Sequence, residues 1–429
     1  MRRWIGLAAA GALLITAPLL LRNRVASEDA DDALAKSKAE KGFSKAVTPP
    51  PLTGLDLARL KDEGAEITAP AHGGRIAHLT IEPALQKLAK QLLRQNQIPE
   101  AAVVMTDTAT GKILVYASHV EKGPPRDLCV EANAPAASIF KIVTGAALVE
   151  QAGLQADAKQ CYWGGEHRLQ MENLLDDPRK DKYCATLTDA MGRSLNTVIA
   201  RLALKNLDAP RLLATAKQFG FNEGIPFDVP VQAHTIKLPD DTLGFARTSA
   251  GFWNTTLSPL AGASIAMTVA NRGTMIRPYV VNRITDKEGA TLYKASSRQV
   301  IRRAIKSETA EQVTKMMEAT VRDGTSYKAF HDKSGASFLP DITVAGKTGT
   351  LTGGAEQYYT WFVAFAPSRA PEVTVSVLVV NGPMWRVKAN LIGREMLRAY
   401  FSGKDAPGVT MPRAAVAAAN VENASNDFD

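Results

Sequence analysis

No segment of the 429-residue chain repeats, and its cysteines and histidines have no zinc-site spacing. The six histidines (His72, His78, His119, His167, His234 and His331) show no paired spacing and read as structural or surface groups. Lysine and arginine exceed aspartate and glutamate by 51 to 43, a formal net charge of +8. These cations form no dense patch interleaved with aromatics, which argues against a nucleic-acid partner. The mild positive excess suits an anionic setting such as a membrane surface or a cell-wall polymer. Hydrophobic residues make up 45% and charged residues 22%, so neither disorder nor a coiled coil describes the bulk of the chain. A chain of this length buries one large core or two modest ones.

Long apolar runs are just as scarce. From Trp4 to Leu21 the chain carries no charged residue, with Arg2 and Arg3 before this run and Arg22 and Arg24 after it. As a helix it spans about 27 Å, enough to cross a hydrocarbon core. A cleaved signal peptide would have a shorter apolar region and a small-x-small site. Residues 1–24 are therefore expected to be a cytoplasmic stub and transmembrane anchor, with the remainder exported. Residues 25–75 combine a charged, alanine-rich stretch, Pro49-Pro50-Pro51 and Gly73-Gly74, and read as a flexible tether. Residues 404–429 have few large apolar side chains and read as a disordered tail.

Residues 76–403 form one mixed domain. Thr80 is expected to cap a helix running to Gln95, and Ala101–Met105 with Lys112–Ser118 to form a hairpin across Asp107–Gly111. Helical stretches are expected over Ser138–Gln151, Leu187–Lys205, Pro210–Phe219, Pro259–Asn271, Glu308–Arg322 and Val387–Phe401. Ile342–Ala345, Tyr359–Phe365 and Val373–Val380 are apolar, β-rich segments. Strands at both ends of a helical middle give an α+β class: an antiparallel sheet packed by helices, with an all-helical subdomain.

Three short motifs carry chemistry. In Ser138-Ile139-Phe140-Lys141, a three-residue spacing at a helix start puts a hydroxyl and an amine on one face. The amine can then activate the hydroxyl, provided burial or a neighbouring positive charge keeps it neutral. Ser194-Leu195-Asn196, on a turn between helices, supplies a hydroxyl for proton relay and an amide for a substrate peptide. Lys347-Thr348-Gly349-Thr350 follows a strand-like segment and supplies a cation and two hydroxyls suited to a carboxylate. Its Gly346 and Gly349 leave room for an extended peptide to lie alongside. Taken singly, each motif also fits a helix cap, a turn or an edge strand.

Each motif occurs once, and the order Ser-x-x-Lys, Ser-x-Asn, Lys-Thr-Gly resembles the penicillin-binding protein and serine β-lactamase superfamily. The resemblance runs from Ile76 to Phe401. It takes in the hairpin AVVMTDTATGKILVYAS (102–118), Leu257-Ser258-Pro259-Leu260, Ala270-Asn271-Arg272-Gly273 with Arg277-Pro278, Asp323-Gly324-Thr325-Ser326, and Trp361–Pro367. It implies an acylated nucleophile at Ser138 with Lys141 as base, and a proton relay at Ser194 beside the amide-holding Asn196. Lys347 would add positive charge, while Thr348, Gly349 and Thr350 would bind the substrate's terminal carboxylate. The backbone N–H groups of Ser138 and Thr350 would form the oxyanion hole.

The implied reaction is D,D-transpeptidation of D-Ala-D-Ala peptidoglycan stem peptides, with β-lactams acylating the same serine and no metal or organic cofactor. Alternatives with the same nucleophile are a D,D-carboxypeptidase or a serine β-lactamase; a non-turnover sensor or wall-binding scaffold is a third. The tether is too short to hold a glycosyltransferase domain, so glycan polymerisation would come from a separate protein. Location at the cell inner membrane, with the domain in the periplasm or otherwise outside, follows from the anchor. Two departures stand out: Pro135-Ala136-Ala137 where the family has Pro-Gly, and Ala250-Gly251-Phe252-Trp253 where it has a glycine-rich form. Of Cys129, Cys161 and Cys184, the last two flank a polar stretch and are expected to form a disulfide in an exported protein, leaving Cys129 as the odd, buried thiol.

Overall fold

The computed structural model describes residues 52–166, 168–353 and 357–402. The expected anchor, the first half of the tether, the expected tail and His167 lie outside them. In chain order the strands are β1 (Lys61–Asp62), β2 (Ile67–Ala71), β3 (Arg75–Leu79), β4 (Glu100–Asp107), β5 (Ile113–Val120), β6 (Ala134–Pro135), β7 (Lys159–Tyr162), β8 (Tyr183–Thr186), β9 (Thr256–Leu257), β10 (Thr274–Ile276), β11 (Val281–Thr285), β12 (Thr291–Lys294), β13 (Val300–Arg303), β14 (Ala345–Thr352), β15 (Tyr358–Ala366) and β16 (Val373–Asn381). The helices are α1 (Pro83–Gln95), α2 (Phe140–Ala152), α3 (Met171–Leu174), α4 (Leu187–Gly192), α5 (Asn196–Asn206), α6 (Ala209–Gln218), α7 (Thr242–Ser249), α8 (Pro259–Ala270), α9 (Ser307–Arg322), α10 (Tyr327–Phe330) and α11 (Ala389–Phe401).

The main sheet has five strands in the order β14-β15-β16-β4-β5, every neighbouring pair antiparallel. Both its faces are covered, so the central strands are largely apolar; all nine residues of β16 are buried, Thr374, Ser376 and Asn381 among them. Alternation along β15 divides the core. Trp361, Val363 and Phe365 join the cluster that includes α2, α5 and α9, while Phe362, Ala364 and Ala366 join the cluster of α1 and α11. Helix α8 is buried on every side, as its composition of small and apolar residues requires. A Cβ on its Gly262 would come within 2.6 Å of Ser376 Oγ, so only glycine allows this close approach to β16.

Three expectations differ from the structure. Thr80 does not cap a helix: α1 begins at Pro83 after Glu82, and the Thr80 hydroxyl donates instead to the Ile113 and Val280 carbonyls. The expected tether is ordered from Leu52, because Leu52, Leu57 and Ile67 pack into a core with Val281 and Ile284. Its strands β1, β2 and β3 complete a second five-stranded sheet, β1-β2-β3-β11-β12. The stretch Leu187–Lys205 is two helices, α4 and α5, broken at Ser194, whose φ of 59° is left-handed. Such a conformation costs a non-glycine residue about 1–2 kcal/mol, and residues held this way cluster at functional sites.

Candidate active site

Ser138 sits in a 3-10 turn, Ala137–Ile139, that leads into α2. Ala137 has a φ of 49°, and Gly251 (φ 80°) presses on the turn from behind. A Cβ on Gly251 would lie 2.5 Å from the Ala137 carbonyl oxygen and 2.9 Å from Ser138 Cα. The segment that departs from the family pattern therefore holds the serine in place, and its glycine is required for close approach.

At the second residue of α2, three positions after Ser138, Lys141 is fully buried. Its Nζ lies 2.7 Å from Ser138 Oγ, 2.7 Å from Asn196 Oδ1 and 2.6 Å from the Ala250 carbonyl oxygen. The last two atoms only accept hydrogen bonds. A neutral amine can donate its two N–H groups to them, which turns its lone pair toward the serine hydroxyl. Burial, and then the charge of Lys347, push the Lys141 pKa well down and favour that neutral form.

Asn196, the first residue of α5, is oriented at both ends of its amide. Its Oδ1 accepts from Lys141, and its Nδ2 donates to the Glu166 carbonyl at 2.5 Å. A second Nδ2 hydrogen remains for a ligand carbonyl. The break at Ser194 makes this possible, since a continuous helix would carry Ser194 and Asn196 on different faces. The Gly192 carbonyl just before it accepts from the Thr325 N–H at 3.0 Å.

Strand β14 is the edge of the main sheet and presents the third motif. Lys347 is fully buried and donates to Ser194 Oγ at 3.1 Å and to the Thr348 carbonyl at 2.9 Å. Burial lowers its pKa to about 7. On the same face, Gly349 abuts the serine turn: a Cβ there would sit 3.3 Å from Ala137 Cβ and from Ile139 Cγ1. A Cβ on Gly346 would lie 2.9 Å from the Phe362 ring. The absence of a side chain at these two glycines thus also serves internal packing.

By alternation Thr348 and Thr350 belong to the opposite face, the one covered by α11. Thr350 pairs with Thr360, whose Oγ1 accepts from the Ala389 N–H at 3.2 Å. Thr348 Oγ1 shares a 2.6 Å hydrogen bond with Thr325 Oγ1.

Ser138, Ser194, Asn196, Thr348, Gly349 and Thr350 all line one cavity of about 380 Å³. Glu166, Thr325, Lys388 and Asn390 line it too. Sequence reasoning missed these four and the Ala250 carbonyl. Only Thr325 carried a signal, as part of the quoted Asp323–Ser326 segment; a backbone carbonyl leaves none. Lys141 and Lys347 lie beneath the cavity, one bonded to each serine. The arrangement can activate a hydroxyl with a neutral amine and can hold an anionic group beside a second cation. Among the described residues no group of three histidine, cysteine or acidic side chains is placed to hold a metal ion.

Cys161 and Cys184 are directly opposed on β7 and β8 and are joined by a disulfide, while Cys129 is free and buried.

Residues 101–397 match the family model of the penicillin binding protein transpeptidase domain. A Mycobacterium tuberculosis protein named peptidoglycan D,D-transpeptidase PbpA is 28% identical over 374 residues, covering 77% of this chain and 73% of its own length. The crystal structure of PBPA from Mycobacterium tuberculosis superposes with a TM-score of 0.63 at 25% identity, over 76% of this chain and 80% of that one. An imipenem acyl-enzyme complex of penicillin-binding protein A from the same organism gives 0.63 at 27% identity, over 76% and 79% of the two chains. With the three motifs gathered in one cleft and the family model spanning most of the described residues, this protein belongs to the penicillin-binding protein transpeptidase family.

Proposed function

We propose that the chain is a D,D-transpeptidase acting on D-Ala-D-Ala peptidoglycan stem peptides through an acyl-enzyme at Ser138. The observation that carries this reading is the 2.7 Å contact between Ser138 Oγ and the buried Lys141 amine, in a cleft shared with β14. In this reading neutral Lys141 takes the Ser138 proton as Oγ attacks the carbonyl of the penultimate D-alanine. Ser194 passes a proton to the departing amine, and the terminal D-alanine leaves. Asn196 donates to the stem-peptide carbonyl, and Thr348 and Thr350, on either side of Gly349, hold the terminal carboxylate near protonated Lys347. The backbone N–H groups of Ser138 and Thr350 receive the oxyanion. An amine from a second stem then attacks the ester, and the cross-link forms as Ser138 is freed. β-Lactams enter by the same attack and remain as the ester; relatives described as acyl-enzyme complexes with imipenem and ceftriaxone support this.

The same reading assigns residues 1–24 to an inner-membrane anchor and residues 25–51 to a tether, with the catalytic domain outside the membrane. The uncharged Trp4–Leu21 run supports it, as does a disulfide of the kind that persists in oxidising compartments. A separate glycosyltransferase would supply the glycan strands.

Ser138→Ala should abolish covalent labelling by a fluorescent penicillin while leaving the melting temperature within a degree or two; retained labelling would remove Ser138 from its role. Product analysis with stem peptide and an acceptor amine distinguishes transfer from carboxypeptidase hydrolysis.

A further inference from the structure

We propose that Glu166 selects the acceptor: its carboxylate draws an ammonium-bearing nucleophile to the acyl-enzyme and favours transfer to an amine over hydrolysis. This rests on the reading of Ser138 as the acylated residue and deepens it by naming what recognises the second substrate.

Glu166 is the one acid among the residues that line the cleft, and it is exposed there. The cation lining the same cleft, Lys388, belongs to the start of α11 on the other face of the main sheet. The cleft therefore has an acidic and a basic wall in a chain whose net charge is +8. An ammonium group approaching this surface finds its opposite charge at Glu166.

Its position is set by rigid backbone. The Glu166 carbonyl accepts from Asn196 Nδ2 at 2.5 Å, and the Gly164 carbonyl accepts from Thr197 Oγ1 at 2.7 Å. Between them Gly165 is so close to α5 that a Cβ would lie 2.1 Å from Thr197 Oγ1. From α5, the fully buried Arg201 donates to two carbonyls of the insertion, Asn173 at 2.6 Å and Cys161 at 2.9 Å. It also pairs with Asp181 at 2.7 Å. The Cys161–Cys184 bond closes the base of the same insertion. These contacts fix the backbone at Glu166 and so place this residue at the rim beside Asn196.

Transfer to an amine moves two protons. An acceptor arriving as an ammonium must lose one proton before its lone pair can attack the ester carbonyl. When the C–N bond forms and the C–Oγ bond breaks, a second nitrogen proton returns to Ser138 Oγ by way of Lys141. A carboxylate at the rim raises the local concentration of the ammonium form, whose first proton passes to solvent water; an uncharged nucleophile gains nothing from it.

The test follows the acyl-enzyme formed from a D-Ala thioester donor, partitioned between water, D-alaninamide (a cationic amine) and hydroxylamine (an uncharged nucleophile at neutral pH). Glu166→Gln should raise the KM for D-alaninamide and lower its transfer-to-hydrolysis ratio by roughly 2- to 5-fold, the range an exposed ion pair commands. Glu166→Lys should lower it further and Glu166→Asp should recover part of it. The difference should shrink as salt is raised, and transfer to hydroxylamine should not follow it. An equal loss for both nucleophiles would show a structural effect and overturn the proposal, as would an unchanged ratio in Glu166→Lys. If the wild-type chain forms no acyl-enzyme at all, the transpeptidase reading falls and this one with it.

Discussion

Lys141 and Lys347 are chemically identical, and their surroundings divide the labour between them. Lys141 has two obligate acceptors and one hydroxyl around its amine, a set that a neutral amine satisfies. Lys347 has a hydroxyl and a carbonyl, and its pKa is lowered to about 7 by burial alone. Acylation requires Lys141 without its proton and Lys347 with one, so its rate should rise with pH as Lys141 loses its proton and fall as pH passes about 7. Stopped-flow acylation by a carboxylate-bearing β-lactam across pH 5–9 measures this; a rate still climbing at pH 9 would contradict the assignment of Lys347. Gly251 is the residue whose role is least visible from its type. Alanine there meets both a φ of 80° and the Ala137 carbonyl, so Gly251→Ala should displace the serine turn. A displacement near 1 Å costs on the order of 10- to 100-fold in rate. Unchanged acylation kinetics in that variant would show that the turn yields freely.

Among the elements, the insertion between α2 and α4 does the most positioning for its size. It carries little apolar surface of its own and is held by the disulfide, the buried guanidinium of Arg201 and its carbonyls on α5. Closing the loop between Cys161 and Cys184, 23 residues apart in sequence, stabilises the fold by about 3 kcal/mol in the chain-entropy account. Replacing both cysteines by serine should lower the melting temperature accordingly, with a larger relative loss in acylation rate because Asn196 loses its fixed partner. Equal kinetics in the two proteins would mean that Arg201 alone anchors the insertion. The helices and main-sheet strands were legible in the sequence wherever apolar residues recur at a regular period, as in α9, β15 and β16. The break inside Leu187–Lys205 was invisible to periodicity, because an apolar stripe continues through it; only the Ser-x-Asn motif marked a turn there. At the end of α4, Gly192 packs tightly on another helix: a Cβ there would come within 2.7 Å of Ala319 Cβ on α9.

At the scale of the whole described chain, two buried groups titrate in opposite senses. Burial lowers the pKa of His234 from 6.5 to about 4, so between these values the unfolded chain takes a proton that the folded chain refuses, and stability falls on acidification. Burial raises Asp127 from 3.8 to about 6; here the folded chain takes the proton first, and stability rises on acidification through the same window. The two largely offset each other. His234→Phe should therefore gain about 3 kcal/mol relative to the parent between pH 7.5 and pH 4, read from urea midpoints. A constant difference at both pH values would show that His234 takes its proton in the fold as readily as in the unfolded chain. The same scale explains the misjudged tether. β3 pairs with β11, about two hundred residues away, and polar, glycine-rich residues 61–75 carry no local sign of a partner that distant.

Composition and order along the chain were enough to settle the class, the family and the chemical types present: a hydroxyl and an amine one helical turn apart, a Ser-x-Asn turn and a Lys-Thr-Gly strand. These are local patterns, and local patterns survive in a linear string. Which residues complete the cleft was decided only in three dimensions. Glu166, Ala250 and Asn390 come from an insertion, a carbonyl beside a positive-φ glycine, and the start of the last helix. Nothing in their sequence neighbourhoods points to one another, because sheet register and helix packing bring them together, and those depend on contacts between residues far apart in the chain.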